Sequence, residues 1–189
     1  MEAEIVVPPR EVQLSVEQIQ HAAQKIEQKI KRLQWREDPV LWARERLGDT
    51  LWSGQARILR SVRDNRKTAV ATCHEIGKSF SAALAAGWWL DVHKPGEAFV
   101  ITTAPTAPQV RTILWREIGR VWRRGRLGGK CNQTTWSMSV DGKSEVVAMG
   151  RKPDDYDSTA FQGIHAPRVL FIGDEACGLP AALLEAANS

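Results

Sequence analysis

Thr68-Ala-Val-Ala-Thr-Cys-His-Glu-Ile-Gly-Lys-Ser79 has the pattern of a strand, a loop and the start of a helix. Its first five residues are small, apolar or β-branched and predict a buried strand over residues 68–72. The alanine-rich residues 79–90 that follow are apolar nearly all round and predict a buried helix. Gly-Lys-Ser between a strand and a helix is typical of a loop that binds phosphate through backbone N–H groups. The loop departs from the usual pattern at its first position, where Thr72 replaces glycine.

Each residue at the end of such a loop has a separate task. Gly77 allows a close backbone approach, Lys78 places a cation on the β- and γ-phosphates, and Ser79 offers a hydroxyl to Mg²⁺. We therefore predict a nucleotide-binding loop that consists of Thr72, Cys73, His74, Glu75, Ile76, Gly77, Lys78 and Ser79. The loop alone leaves open a chance Gly-Lys-Ser at the start of an ordinary helix.

An acidic pair at the end of another apolar segment favours the nucleotide interpretation. Val169-Leu-Phe-Ile172 predicts a buried strand, and Asp174-Glu175 follows its carboxyl end. Ligands of α/β sheets bind at that edge. One carboxylate can hold Mg²⁺ through its water shell, and the other can orient and deprotonate an attacking water. The alternative is a surface strand end followed by a helix cap.

Two further kinds of side chain complete the predicted site. Gln55, near the start of a helix capped by Ser53, carries an amide that can pair with an adenine edge. Hydrolysis also needs a cation near the developing charge on the γ-phosphate. The candidates are Arg111, Arg116, Arg120, Arg123, Arg124 and Arg126. A solvated glutamine, a solvated basic face and contacts to DNA phosphates remain open as alternatives.

The order of the remaining elements predicts the fold class. The further expected elements are strands at 97–103, 134–140 and 144–149, a helix at 109–124 and a loop at 151–163. Asp141-Gly142 is typical of a hairpin turn between two of these strands. The alternation of strands and helices predicts an α/β domain with a mostly parallel central sheet flanked by helices.

A separate helix is predicted before this domain. Ser15 and Gln18 form a capping box, after which apolar residues repeat at alternating steps of three and four. They are Val16, Ile19, Ala23, Ile26, Ile30 and Leu33. This spacing is that of a helix-pairing seam, but the seam is shorter than a coiled coil requires. Packing on the helix's own domain and docking to another subunit both remain open.

Composition restricts the class of protein. The chain has 189 residues, of which 43% are hydrophobic and 25% charged, as in ordinary soluble globular domains. A net charge of +4 is compatible with a polyanionic partner without requiring one. The three widely spaced cysteines predict no disulfide framework. The sequence shows neither a signal peptide nor an apolar run long enough to span a bilayer.

In order and spacing, several segments resemble the ATPase domain of the large terminase subunit of tailed bacteriophages. They are Leu51-Trp-Ser-Gly-Gln55, Thr72–Ser79, Ile101-Thr-Thr-Ala-Pro-Thr106 with Gln109-Val-Arg111, Phe161-Gln-Gly-Ile-His-Ala166, and Val169–Pro180. The resemblance implies a P-loop NTPase of the RecA-like (ASCE) type over residues 38–189, preceded by a helical extension over residues 1–37. It also implies a molecular motor that uses ATP hydrolysis to drive double-stranded DNA into a procapsid.

The resemblance implies a role for each candidate residue. Lys78 and Ser79 would bind phosphate and Mg²⁺, and Asp174 would hold the metal. Glu175 would activate water, and Gln55 would recognise adenine. Arg111 is one candidate for the catalytic arginine finger because it lies in the matching Gln-Val-Arg segment. The family tolerates irregular loops, which accommodates Thr72.

The same resemblance implies the surroundings of the protein. The cofactors would be ATP and Mg²⁺. The partners would be double-stranded DNA, a portal protein, a small terminase subunit and further copies of the chain in a homo-oligomeric ring. The place of action would be the cytoplasm of a bacterial host, with no membrane involved.

The chain departs from the family pattern after the acidic pair. The family has a coupling motif and an acidic nuclease domain there, so we expect residues 38–189 to be a C-terminally incomplete domain without nuclease activity. Two other functions remain open. One is a helicase-like nucleic-acid-dependent ATPase, which would require a second RecA-like domain. The other is a non-hydrolysing nucleotide-binding module that assembles through the heptad helix.

Overall fold

The structure is a computed structural model that describes residues 15–71, 76–152, 166–181 and 183. Its internal contacts divide the chain into two compact units, Met1–Lys31 and Arg32–Ser189. No helix in the described ranges has both the length and the apolar character needed to cross a membrane.

The first unit contains most of a long helix, α1 (Val16–Glu37). The predicted capping box is confirmed, since Ser15 N donates to Gln18 Oε1 at 2.8 Å and Gln18 N to Ser15 Oγ at 3.2 Å. The helix has no buried residue. Five apolar residues of the heptad seam are each 52–70% exposed: Val16, Ile19, Ile26, Ile30 and Leu33.

Two short helical elements open the second unit. Asp38 caps α2 (Pro39–Trp42) by accepting from the backbone N–H groups of Val40 at 2.9 Å and Leu41 at 3.1 Å. A π-helical turn, Ala43–Leu47, continues α2 and ends at Gly48, whose φ is +72°. Both ends follow from residue preferences, because proline suits a first helical position and glycine a left-handed helix end.

A buried carboxylate ties this region to the main helix of the domain, α4 (Lys78–Val92). Asp91, 8% exposed, accepts from Trp42 Nε1 at 2.9 Å and from Arg46 Nε at 3.0 Å. In the chain, α3 (Ser53–Asp64) lies between the turn Ala43–Leu47 and α4. Ten of the fifteen residues of α4 are buried, as its uniformly apolar sequence predicts.

Five strands form one mixed sheet. They are β1 (Ala98–Thr103), β2 (Lys130–Cys131), β3 (Thr135–Val140), β4 (Lys143–Arg151) and β5 (Arg168–Gly173). Their order is β2-β3-β4-β1-β5, with β1 parallel to both β4 and β5 and with β3 antiparallel to both β2 and β4. The α/β class is confirmed, but the expectation of a mostly parallel sheet is wrong. Asp141 and Gly142 both have positive φ, and a two-residue turn can join only antiparallel strands.

The predicted strand at 68–72 is also wrong over its described part. Residues 68–71 form no strand and pair with none of the five strands. Val70 is 37% exposed, so apolar character did not bring the segment into the sheet. Thr72 lies outside the described residues. Strand formation needs a hydrogen-bonding neighbour as well as suitable side chains, and the sequence pattern of one segment does not supply it.

The predicted buried strand at 169–172 is present as β5, but at the edge of the sheet. Val169 is 46% exposed, whereas all six residues of β1, its neighbour, are buried. None of residues 169–172 is buried, so the prediction of burial was wrong, because an edge strand has only one strand beside it. Of the predicted loop at 151–163, Arg151 is the last residue of β4, and residues 153–163 lie outside the described part.

The helix predicted at 109–124 is present in two parts. A π-helical segment, Gln109–Leu114, runs directly into α5 (Trp115–Arg124). Trp115 is 2% exposed and donates from Nε1 to Thr102 Oγ1 of β1 at 2.8 Å. Trp42, Trp88 and Trp136 are buried as well, so these tryptophans belong to the hydrophobic core.

Candidate functional site

The acidic pair leaves the sheet beside the end of β1, the strand next to β5. In the parallel register of β1 and β5, Thr103 lies opposite Gly173. Asp174 N then donates to Thr103 O at 2.9 Å, so the pairing continues one residue beyond β5. The sheet thus fixes the backbone of Asp174, and both acidic residues lie at the carboxyl edge of the sheet.

The helix start of α4 meets the acidic pair at this edge. Ser79 is the second residue of α4, and its hydroxyl donates to Asp174 Oδ2 at 3.0 Å. The two residues are 95 positions apart in the chain. The structure therefore brings together the two residues that the sequence analysis selected as metal ligands.

Gly77 marks the turn from the predicted loop into α4. Its φ of +85° and ψ of 32° are left-handed, a conformation that favours glycine. Gly77 O accepts from Ser81 N at 2.9 Å and from Ser81 Oγ at 3.0 Å, which fixes the first turn. The first N–H groups of a helix have no partner within it, so they form a place for an anion.

The described part of the predicted loop comprises only its last four residues. Ile76, Gly77, Lys78 and Ser79 are all partly buried. Thr72, Cys73, His74 and Glu75 lie outside the described residues, as does the segment 161–165 of the matching set. The described part of the candidate site therefore consists of the start of α4 and the acidic pair after β5.

Gln55 lies against this turn. A Cβ added at Gly77 would stand 3.1 Å from Gln55 Nε2, so the amide covers the glycine directly. The preceding residues explain how the side chain is placed. The ring of Trp52 folds over Gly54 so closely that a Cβ there would stand 2.0 Å from it. The Trp-Ser-Gly-Gln sequence thus forms one compact helix start beside the predicted loop.

Glu175 has an unusual backbone and one side-chain partner that the sequence analysis missed. Its φ of 53° and ψ of 52° are left-handed, which is uncommon for a residue other than glycine. Gln109 Nε2 donates to Glu175 Oε2 at 2.6 Å. A signal for Gln109 was present in the sequence. Thr106-x-x-Gln109 has the spacing of a capping box, which predicts that this glutamine is held at a helix start.

No described hydrogen bond connects any of the six candidate arginines to the acidic pair or to the start of α4. Arg111 is exposed, two residues after Gln109. Arg120 donates to Glu117 at 2.9 Å, and Arg124 bonds Asp49 and Leu47 O, so both have partners within the domain. The register instead places Arg151, which was not among the candidates, opposite Thr103 at the carboxyl end of β4.

Two oxygen atoms at this edge have the spacing of adjacent magnesium ligands. Adjacent ligands of an octahedral Mg²⁺ stand about 2.9 Å apart, given bonds of about 2.05 Å. Ser79 Oγ and Asp174 Oδ2, at 3.0 Å, have this spacing. Thr103, which lies opposite Gly173, is buried, and its hydroxyl has no hydrogen-bond partner in the described part of the chain. A buried hydroxyl without a hydrogen bond costs about 1–3 kcal/mol, and a hydrogen bond to an oxygen atom of a bound ligand would offset this cost.

Comparison with protein-family models and with curated proteins gave no match to this sequence.

Proposed function

We propose that the chain is a magnesium-dependent ATPase of the P-loop class. The observation that carries the proposal is the 3.0 Å contact between Ser79 at the start of α4 and Asp174 beyond β5. A hydroxyl at a helix N-terminus and a carboxylate at the carboxyl edge of a sheet are the groups that hold Mg²⁺ against nucleotide phosphates. Chance helix starts and strand ends give no reason for these two side chains to meet.

The proposed division of labour follows from the positions of the side chains. Lys78 and the N–H groups after Gly77 bind the β- and γ-phosphates, and Gln55 binds the adenine edge. Ser79 and Asp174 hold Mg²⁺, which when bound neutralises charge on the phosphates. Glu175 accepts a proton from the water that attacks the γ-phosphate.

The proposal extends to the biological role through the matching segments. We infer a motor domain of a terminase large subunit that drives double-stranded DNA into a procapsid, working with a portal protein and a small subunit. Exposed basic side chains on and after α5 support a DNA partner: Arg116, Arg123, Arg126 and Lys130. Such residues neutralise backbone phosphates without regard to base sequence.

The ATPase proposal is tested with Glu175→Gln. Loss of a general base lowers turnover by about 10²–10⁴-fold while leaving phosphate binding intact. We expect a much lower kcat in a steady-state ATPase assay and an ATP affinity close to that of the unaltered protein. Glu145→Gln, at an exposed position of β4, is the matched control and should leave kcat unchanged. Equal turnover in Glu175→Gln and the unaltered protein would show that the catalytic assignment is wrong.

The motor proposal is tested with DNA. Double-stranded DNA should stimulate ATP hydrolysis, and the stimulation should decline steeply as salt rises because phosphate contacts release counterions. A forked substrate separates the two kinds of motor. Strand separation coupled to ATP hydrolysis would favour the helicase-like alternative, whereas stimulation by blunt duplex without strand separation favours packaging.

One observation favours an additional assembly role. The heptad seam of α1 is exposed at every position and contains no polar residue. A seam with this spacing complements a second copy of itself, because the same knobs and holes occur on both helices. We infer that α1 pairs with α1 of a second copy of this chain.

The expected strength of this pairing follows from the size of the seam. Partial burial of each exposed valine, isoleucine or leucine contributes on the order of 1 kcal/mol, so a pair of helices gains roughly 10 kcal/mol. Association itself costs about 4–15 kcal/mol. The pairing should therefore be weak and dependent on protein concentration.

Sedimentation and activity distinguish a motor that assembles from a module that only binds nucleotide. In the motor, the dimer fraction and the ATPase rate per chain should rise together with concentration, and Ile26→Asp should abolish both increases. Gln24→Asp, on the polar side of the same helix, is the control. Dimerisation without turnover at any concentration would favour the non-hydrolysing module. A monomer at all concentrations would contradict the pairing of α1.

A further inference from the structure

Gln109 joins two loops that leave the sheet at the same edge. Its side-chain oxygen, Oε1, accepts from Thr106 N at 3.0 Å and from Thr106 Oγ1 at 2.7 Å. Its side-chain nitrogen, Nε2, donates to Glu175 Oε2 at 2.6 Å. The loop after β1 and the turn after β5 are therefore connected through one amide.

The orientation of this amide is determined by its partners. Thr106 N can only donate, so the Gln109 oxygen must face Thr106. The nitrogen must then face Glu175, and a carboxylate is the acceptor that suits it. Reversal of the amide would place a donor against a donor and an acceptor against a carboxylate. The network thus has one arrangement, in which Gln109 holds one oxygen of Glu175.

Glu175 is held from its backbone as well. Glu175 O accepts from Gly178 N at 2.9 Å, and the short 3₁₀ turn Ala176–Gly178 follows directly. This turn packs on the loop after β1, since a Cβ at Gly178 would stand 2.6 Å from Pro105 Cγ. A left-handed non-glycine residue costs on the order of 1 kcal/mol and persists only where its surroundings determine it. The two loops supply those surroundings.

From these contacts we propose that Gln109 is the positioning residue for the Glu175 carboxylate. This inference rests on the proposed ATPase function. Gln109 binds Oε2, and the described hydrogen bonds leave Oε1 for the attacking water. Gln109 touches neither the nucleotide nor the water. It acts through Glu175, by keeping the carboxylate at one angle and distance during proton transfer.

The test compares two variants of nearly the same size. Gln109→Met keeps the length of the side chain and removes the donor, and Gln109→Glu replaces the donor with a like charge. A base displaced by about 1 Å loses on the order of 10²-fold in rate. We expect kcat to fall about 10- to 100-fold in Gln109→Met and further in Gln109→Glu, with KM for ATP unchanged in both. Gln133→Met, at an exposed glutamine in the loop before β3, should retain full activity.

A second comparison separates positioning from a structural role. In a Glu175→Gln background, Gln109→Met should cause no further loss, because the residue that it positions is already inactive. Equal losses in both backgrounds, or a rise in KM with kcat unchanged, would overturn the proposal. Thermal unfolding of each variant shows whether the fold is retained.

Failure of this inference is distinguishable from failure of the proposed function. If the unaltered protein hydrolyses ATP, Glu175→Gln does not, and Gln109→Met does so at the unaltered rate, the inference alone is wrong. If the unaltered protein with Mg²⁺ and DNA shows no turnover, the proposed function and this inference are both wrong.

Discussion

The two sides of the candidate site are built in different ways. On the acidic side, Asp174 is bonded to β1 through its backbone, and Ser79 and Gln109 bind the two carboxylates. On the loop side, residues 68–71 pair with no strand, and Val70 is 37% exposed. The loop side acquires its position only at Gly77, where α4 begins. A helix packed in the core thus brings Ser79 to Asp174 although residues 68–71 form no strand.

Lys78→Ala should give the largest effect among the variants that test this comparison, because the proposed function assigns this side chain to the β- and γ-phosphates. Loss of one preorganised charge-stabilising donor costs about 10²–10³-fold in rate. We expect kcat/KM for ATP to fall by the upper end of that range and nucleotide binding to weaken in a fluorescence titration. Lys143→Ala, at the exposed start of β4, should change neither. A variant that still binds and hydrolyses ATP normally would remove Lys78 from the site.

Ser79→Ala tests the contact that joins the two sides. Loss of a metal ligand or its orienting partner weakens metal affinity by about 10- to 100-fold. The Mg²⁺ concentration for half-maximal ATPase activity should rise by that factor, with recovery at high Mg²⁺. Ser139→Ala, exposed on β3, is the control. An unchanged Mg²⁺ dependence would show that the 3.0 Å contact with Asp174 has no role in metal binding.

A pair of valine substitutions tests whether the loop side lies outside the sheet. Val100→Ala, at a position with no exposed surface in β1, should lower the free energy of unfolding by about 2 kcal/mol through lost burial and a cavity. Val70→Ala should cost less than about 0.5 kcal/mol, as at other exposed positions. Denaturant unfolding measures both values. Similar costs at the two positions would mean that residues 68–71 are buried in solution. The loop side would then not lie outside the sheet.

Gly77→Ala should give the smallest functional effect of the three site variants, and Gly48→Ala is its matched control. Both glycines have positive φ, so each substitution should cost about 1–2 kcal/mol of stability. A Cβ at Gly77 would stand 3.1 Å from Gln55 Nε2, whereas nothing lies within 4 Å of one at Gly48. Nucleotide affinity should therefore fall about 10-fold only in Gly77→Ala, the equivalent of about 1.4 kcal/mol. Equal nucleotide affinities in the two variants would show that Gln55 and Gly77 are not part of the nucleotide site.

Local sequence signals predict several elements of the domain well. The capping glycine at 48, the hairpin at Asp141-Gly142 and the helix of α4 all follow from residue preferences over a few positions. The same kind of signal would have found Gln109, since Thr106-x-x-Gln109 is a capping box. What the box does not predict is its acceptor, Glu175, because that residue follows 66 positions later.

Residue types at the helix starts and strand ends are visible in the sequence alone: glycine, lysine and serine at the start of α4, and two carboxylates after β5. Which of these residues meet depends on the tertiary structure. The fold brings Ser79 to Asp174 and Gln109 to Glu175, and it leaves residues 68–71 outside the sheet. The physical reason is that turn and cap preferences act over a few residues. Strand neighbours and buried surfaces, by contrast, depend on the whole chain.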